Sequence, residues 1–391
     1  MNYILFEDHF TSFLKPFTDL HASFEVRCGQ FTNIDRLLML LDPTDSITLI
    51  VREEIEEIIS EKFTNINVNP ENIEPGIWLN GSTIWDEKLL KIVNDGKAYA
   101  NEDVLYAFSE SSNINFGDIN IIISEKLKVT SQIEFLHISF LWDAISESHH
   151  QIQEDFIKKF PVRHGKTHHS VIIVNEENIH CGENSIINAG VVLDASNGPI
   201  IIEENVKIDI GALIQGPLVI GKNSIVNPGS KLRGNVIIGP VCKVGGEIED
   251  SIIHGYSNKQ HDGFLGHSYV GEWVNLGANT NNSDLKNTYG KIKYTFPNIE
   301  INTGETFIGA MIGDFVRTGI STMLNTGSFI GTGANVFGGD FQDKYIKSFK
   351  WGRNDLVQWN PFIETCSRMK KRRNKKLTKA VSNRLKVLYK S

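Results

Sequence analysis

Long apolar runs are missing from this chain. They stop at five residues, as in Leu37-Leu38-Met39-Leu40-Leu41, far short of a membrane span. Cysteine is scarce: Cys28, Cys181, Cys242 and Cys366 are scattered, with no CxxC pair and no disulfide-like framework. The opening residues Met1-Asn2-Tyr3-Ile4-Leu5-Phe6-Glu7-Asp8 show no basic flank and no signal-peptide pattern. A cytoplasmic protein is the expectation. Basic charge is also short outside one segment. Eleven of the 39 Lys and Arg residues lie between Ser367 and Ser391, a stretch without Asp or Glu. The remaining 28 face all 47 acidic residues, a net charge of −19, so the body would repel a nucleic acid.

What is present is ordinary for a globular protein: 391 residues, enough for two domains, with 40% hydrophobic and 22% charged. The strongest pattern is a repeat of six. Ile202, Ile208, Ile214, Ile220, Val226, Leu232, Ile238 and Val244 follow one register without a miss. The register breaks at Asp250, resumes as Phe264, Val270 and Leu276, and returns as Ile312, Thr318, Leu324, Ile330 and Val336. A period of six is neither helix nor simple strand alternation. It predicts a parallel β-helix with triangular coils, one aliphatic side chain per short strand pointing inward and Gly, Asn or Asp at the corners. The breaks at Asp250–Gly263 and about Asn281–Glu305 are expected to be loops leaving the coil, where binding or closure would reside.

The first 165 residues alternate strand-like segments (Tyr3–Phe6, Ser46–Val51, Ile119–Ile123) with helical ones (Glu53–Lys62, Ile133–Phe160), an α/β pattern. Pro161–His169 is polar and is taken as the join; its histidines read as a solvated linker before a metal site. Three parts are expected: an α/β domain over 1–165, a β-helix over 166–345, and a basic C-terminal helical segment over 346–391 with apolar spacing at Leu377, Val381, Leu385 and Leu388. That segment is expected to pack on the acidic body, its own or a neighbouring subunit's.

A solenoid has no internal pocket, so its chemistry must lie on an outer face. The dense polar cluster is Asn258-Lys259-Gln260-His261-Asp262-Gly263, leading to Asn275, Asn279 and Asn282. Histidine titrates near neutrality and suits a general base, and the asparagine amides suit sugar hydroxyls or an oxyanion. Asparagine is equally a corner residue of solenoids. His254, His261 and His267 are also conceivable zinc ligands, a reading the motif below explains less well.

The stretch Phe264-Leu265-Gly266-His267-Ser268-Tyr269-Val270-Gly271-Glu272 and Asn275-Leu276-Gly277-Ala278-Asn279-Thr280 resembles the acetyltransferase half of the bifunctional enzymes that make UDP-N-acetylglucosamine, glucosamine-1-phosphate acetyltransferases fused to uridyltransferases. The segment Asn258-Lys259-Gln260-His261-Asp262-Gly263-Phe264-Leu265-Gly266-His267 resembles more closely the related fusion proteins with a short nucleotidyltransferase-like N-terminal domain. The resemblance implies a left-handed β-helix, a homotrimer, and acetyl-CoA as co-substrate. It places the catalytic base at His261, substrate contacts at Arg233, Lys259, Asn275 and Asn282, and the coenzyme A arm at Ala310 and Thr332. The family tyrosine is Phe264 here, and a substrate-binding lysine is replaced by Glu249.

The N-terminal part is similar to the same fusion family through Ile4–Asp8, Leu14–Thr18 and Glu25–Gly29. This resemblance implies a sugar-1-phosphate nucleotidyltransferase taking UTP or another nucleoside triphosphate with Mg²⁺. Lys15 and Arg27 would face phosphate, and Glu7 and Asp8 would hold the metal. No Gly-rich turn follows the first strand, and Leu20-His21-Ala22 stands where relatives tend to carry Thr-Arg-Pro. The leading expectation is thus a two-module sugar-phosphate enzyme; the alternative is a non-catalytic sugar-nucleotide binding, regulatory or scaffolding protein.

Overall fold

The structure is a computed structural model, and it describes residues 1–128, 133, 135–157 and 165–391. An α/β domain is followed by a left-handed parallel β-helix and a helical C-terminus, the expected architecture. In the first domain the six-stranded sheet runs 67–68, 46–50, 2–6, 76–80, 105–110 and 99–100 in spatial order. Its first three pairings are parallel and the last two antiparallel. Helices Asn33–Leu40 and Glu56–Lys62 follow the strands ending at Phe6 and Ile50, as parallel crossovers require.

Two segments depart from the sequence reading. Ile119–Lys126, expected to begin as a strand, is a helix. Its branched residues fall at helical spacing, with Ile119, Ile122 and Ile123 on the core of the domain and Ile121 in solvent. The long helix starts only at Leu141 and runs to Ile157. The expected join at 161–164 lies outside the described residues; coil strands begin at Lys166–Thr167.

The coils of the β-helix stack into three sheets. Each of the eight residues of the unbroken six-residue register lies in the coil interior. The sheets differ in what covers them. Strands Ile200–Ile202, Leu218–Ile220 and Val236–Ile238 are buried on both sides. Their outward residues Ile201, Val219 and Ile237 pack against Leu14, Phe17, Cys28, Trp142 and Ile145 of the N-terminal part. Removing one such side chain from water contributes about 1.5–3 kcal/mol. We call this the covered face. A second sheet (Lys207–Ile208, Ile225–Val226, Lys243–Val244, Asn258–Lys259) carries the C-terminal helix and is called the tail face. The third (Leu213–Gln215, Lys231–Arg233, Glu247–Glu249, Phe264–Gly266) is the open face.

The first register break is not an insertion. Ser251–Gly255, Asn258–Lys259 and Phe264–Gly266 are regular strands on the covered, tail and open faces. Val236 pairs with Ser251 where Leu218 pairs with Val236, so the coil is 15 residues long instead of 18. The inward residue on the open face is Leu265, and Phe264 is half-exposed. The second break is an insertion: the hairpin Lys293–Thr295/Glu300–Asn302 folds back, and Tyr294 meets Trp142 edge-on at 5.1 Å. It braces the two domains.

At the corner after the covered face the chain repeatedly takes positive φ. Asn205 and Asn223 occupy that corner early on. In later coils Tyr256, Trp273, Phe315 and Phe349 stand there at φ between +53° and +60°. Such a backbone costs a bulky residue about 1–2 kcal/mol. Tyr256 and Trp273 stack at 4.5 Å. Helices Trp359–Lys371 and Lys379–Lys390 bury Phe362, Cys366 and Leu385 in the same cluster as Trp273, Phe315 and Phe349. The basic segment thus packs on its own chain. Strands continue to Leu356, so the helical part begins at 359 and not at 346.

Candidate active site

The corner carrying His261 is built from the strand Asn258–Lys259. Register aligns Lys259 with Val244 and Val226, both inward-facing, so the lysine points into the coil. Its Nζ donates to the carbonyls of Gly245 and His261, both at 3.0 Å. Burial lowers its pKa to about 8. Lys259 is therefore not available to a substrate; it ties down the turn in which His261 sits. Gly263 ends that turn at φ +122°, where a Cβ would lie 2.2 Å from the Thr280 carbonyl. His261 itself is exposed, and its ring makes no hydrogen bond among the described residues. On the next coil Asn275 accepts from Asn258 Nδ2 at 3.2 Å and lines a cavity with Gln260, the neighbour of His261. His261 and Asn275 are the expected site residues that the fold brings to one region.

The other expected residues are placed elsewhere. Arg233 is exposed on the open face and divides its guanidinium between Glu247 and Glu249, each at 2.8 Å. Two carboxylates neutralise it, so it is not a free phosphate ligand. Asn282 is buried, accepting from the Gly266 N–H and donating to the Gly266 carbonyl, both at 2.9 Å. It is a rung clamp. Ala310 faces the coil interior, and Thr332 is buried under the N-terminal domain, donating to Asp19 at 2.8 Å. Coenzyme A has no path to either along the covered face. Arg27 lies at the domain junction, where its backbone N–H donates to the Tyr269 hydroxyl at 3.0 Å, and its guanidinium donates to the Gln30 carbonyl. Lys15 is spent on Asp19 at 4.0 Å.

Glu7 and Asp8 do lie where a doubly wound sheet binds ligands, at the carboxyl end of its strands, in a cleft of about 540 Å³. Their oxygens are engaged. Glu7 pairs with Arg52 and accepts from the Ser23 and Arg52 N–H groups at 2.8 and 3.0 Å. Asp8 accepts from the Phe10 N–H, from Asn80 and from His137, between 2.8 and 3.0 Å. These carboxylates do not fit a Mg²⁺ site. Three other groups, His21, Glu272 and Asp314, place ligand atoms within 4.8 Å of one another. His21 bonds Asp314 at 2.8 Å, and Lys62 and Lys370 line the same cavity. With ammonium groups already beside the carboxylates, this is an ion-pair network joining the domains. The zinc reading fails on geometry. His254 is buried on the covered face, His261 sits at the tail–open corner, and His267 at the opposite end of the open strand.

His267, named in the sequence reading only within the motif and as a conceivable zinc ligand, has a structural role instead. Its Nδ1 bonds Asp284 at 2.8 Å, its ring stacks on Phe307 at 5.0 Å, and its pKa is raised by the Asp284 hydrogen bond and neighbouring carboxylates against the opposing effect of burial. It anchors the base of the inserted hairpin. No spacing rule would have shown this, because Asp284 and Phe307 flank the insertion.

Comparison with known families follows this division. Residues 3–159 match the sugar nucleotidyl transferase family model, and 199–234 match the bacterial transferase hexapeptide model of six repeats. The chain is 36% identical over 144 residues, 36% of either protein, to the bifunctional sugar-1-phosphate nucleotidylyltransferase/acetyltransferase of Sulfurisphaera tokodaii. It is 29% identical over 113 residues, 28% of this chain and 27% of the relative, to the bifunctional protein GlmU of Methanococcus vannielii. The chain thus matches about a third of the length of these curated relatives. Among solved structures, a point mutant of AntD, an N-acyltransferase from Bacillus cereus, in complex with dTDP and coenzyme A, shares 16% identity over 56% of this chain and 97% of its own, at a TM-score of 0.22. The N-terminal domain is thus similar to the sugar nucleotidyl transferase family, and the β-helix carries the transferase hexapeptide pattern over 199–234.

Proposed function

We propose that the protein is a transferase of amino-sugar nucleotide biosynthesis whose β-helix moves an acetyl group from acetyl-CoA to the amine of an amino sugar-1-phosphate. The observation that carries this reading is the placement of His261, exposed at a rigid corner held by Lys259, beside the cavity that Asn275 lines. In the reaction the sugar nitrogen attacks the thioester carbonyl, a C–N bond forms, and the C–S bond breaks. His261 takes the proton leaving the nitrogen and returns it to the departing thiolate. UDP-N-acetylglucosamine would be the eventual product class, and a cytoplasmic setting belongs to the same reading, supported by four free thiols.

A homotrimer is part of this proposal. Ile186, Ile210, Leu213, Ile320 and Phe337 are exposed on the tail and open faces and the corners beside them, away from the covered face, apolar side chains suited to packing against a second β-helix. Sedimentation measures the state directly; a monomer at micromolar concentration overturns it.

Nucleotidyl transfer in the N-terminal domain is the weaker half of the proposal. A second reading, a domain that braces the β-helix and binds without turnover, is favoured by the engaged Glu7 and Asp8. One assay separates them. Glucosamine-1-phosphate, acetyl-CoA, UTP and Mg²⁺ are supplied together, and thiol and pyrophosphate are followed separately. Thiol release abolished by His261→Ala supports the acetyltransferase, and pyrophosphate release supports the N-terminal chemistry. Neither product would overturn both.

A further inference from the structure

Between the tail face and helix Trp359–Lys371 lies a cavity of about 240 Å³. Lys243, Arg317, Arg372 and Arg373 line it, and no carboxylate does among the described residues. This is unusual in a body of net negative charge, where the other arginines with a charge at hand have used it. Arg36 pairs with Asp155, Arg52 with Glu7, and Arg233 with two glutamates. Arg317 makes no side-chain hydrogen bond or ion pair among the described residues, and its Nε is buried without a partner. Arg373 donates from one Nη to Asn258 at 3.0 Å, and its Nε is likewise buried and unpartnered. Burying a charged group without a counter-charge is costly. That cost is relieved when an anion enters and takes the guanidinium forks.

We propose that this cavity is a binding site for the phosphate group of a small molecule, with Arg317 as its anchor. Asn258, Asn275 and Arg317 are bridged in one column across three coils, so the guanidinium is mounted on a rigid face. Four cations match a dianionic phosphate better than a singly charged carboxylate, and planar forks suit its oxygens. Arg317 also lines a second cavity of about 650 Å³ running toward Asp355, Leu356, Pro361 and Thr365, and it makes no ion pair with that aspartate. The ligand therefore has room for an organic part beyond the phosphate. Gln260, which also lines the cavity, precedes His261 in the chain. The site stands without the acetyltransferase reading, since occupancy is measured by binding and not by turnover.

The test is a calorimetric titration of the full chain with pyrophosphate at fixed ionic strength. Saturable binding is expected, weakened at least about tenfold by Arg317→Gln and by Arg373→Gln. Arg233→Gln, which alters an exposed arginine already held by carboxylates, leaves it unchanged. Without ligand, Arg317→Gln melts at the same temperature as the parent or higher, because it removes a half-buried charge that has no counter-charge; a purely structural arginine would lower it. Competition by glucosamine-1-phosphate or by coenzyme A then separates a sugar phosphate from a coenzyme as the source of the phosphate. Absence of saturable pyrophosphate binding, or equal affinity in the parent and Arg317→Gln, overturns the proposal.

Discussion

His21 Nε2 and Asp314 Oδ2 meet at 2.8 Å, although 293 residues separate them, and both are buried. The pair fastens the α/β domain to the β-helix. Glu25 stands on the other side of the imidazole at 3.7 Å and is itself paired with Lys62. Burial opposes the charge on His21, but Asp314 and then Glu25 outweigh it and raise its pKa to about 10. Burial would likewise raise Glu25; Lys62 and His21 instead bring it down to about 2.

These shifts predict a stability that falls toward alkaline pH. A raised histidine pKa stabilises the fold fully below about 6.5, and this contribution is lost as pH climbs toward about 10. Lys259, lowered to about 8, acts in the opposite sense up to its unfolded value near 10.5. The readout is therefore the difference between the parent and His21→Gln. The melting-temperature gap between them is widest at pH 6 and closes by pH 10 to 11. Glu25 contributes above about 4.5 and is lost as pH falls toward 2, so acid unfolding of Glu25→Gln has a shallower pH dependence.

Arg233→Met leaves the KM for a sugar phosphate within about twofold of the parent, since both its neighbours are carboxylates. Its loss costs about 0–1 kcal/mol of stability, as for other exposed ion pairs. Steady-state kinetics check this, and a tenfold rise in KM would return Arg233 to the site.

Lys259→Met fills the coil interior at similar volume, and it removes the hydrogen bond that holds the His261 carbonyl. Its melting temperature stays close to that of the parent or rises. The rate constant kcat falls about tenfold while KM is little changed, since the base loses its fixed position and substrate contacts are untouched.

Trp142→Ala opens a void where helix Leu141–Ile157, Tyr294 of the hairpin and the covered face converge. The expected loss is about 3–5 kcal/mol, measured by denaturant unfolding. Retention of full stability would show that the hairpin is a loose loop and not a brace.

Much of the β-helix was readable from single residues. Ile202 to Val244 each mark an inward position because the coil turns one side chain inward at every sixth residue, a local constraint; the strands on the covered face add a second, as Ile200, Leu218 and Val236 show. His261 was placed instead in an expected loop rejoining the coil, whereas it sits at the corner between two regular strands. The register failed from Asp250 onward because a coil shortened to 15 residues looks, in sequence, like a loop departing from the solenoid. Lys259 was misread for a related reason: a lysine in a polar run reads as solvent-facing until strand pairing with Val244 turns it inward.

Strand periodicity, the acidic body and the basic tail are properties of neighbouring residues, and the amino-acid order alone determines them. Which carboxylate each arginine meets is decided by how coils, domain and tail close on one another. Arg233 finds Glu247 and Glu249 one coil away, whereas Arg317 makes no ion pair among the described residues and lines a cavity that no described carboxylate lines. Charge interactions act through space over a few ångströms, so only the tertiary structure distinguishes the neutralised arginine from the one left open to a ligand.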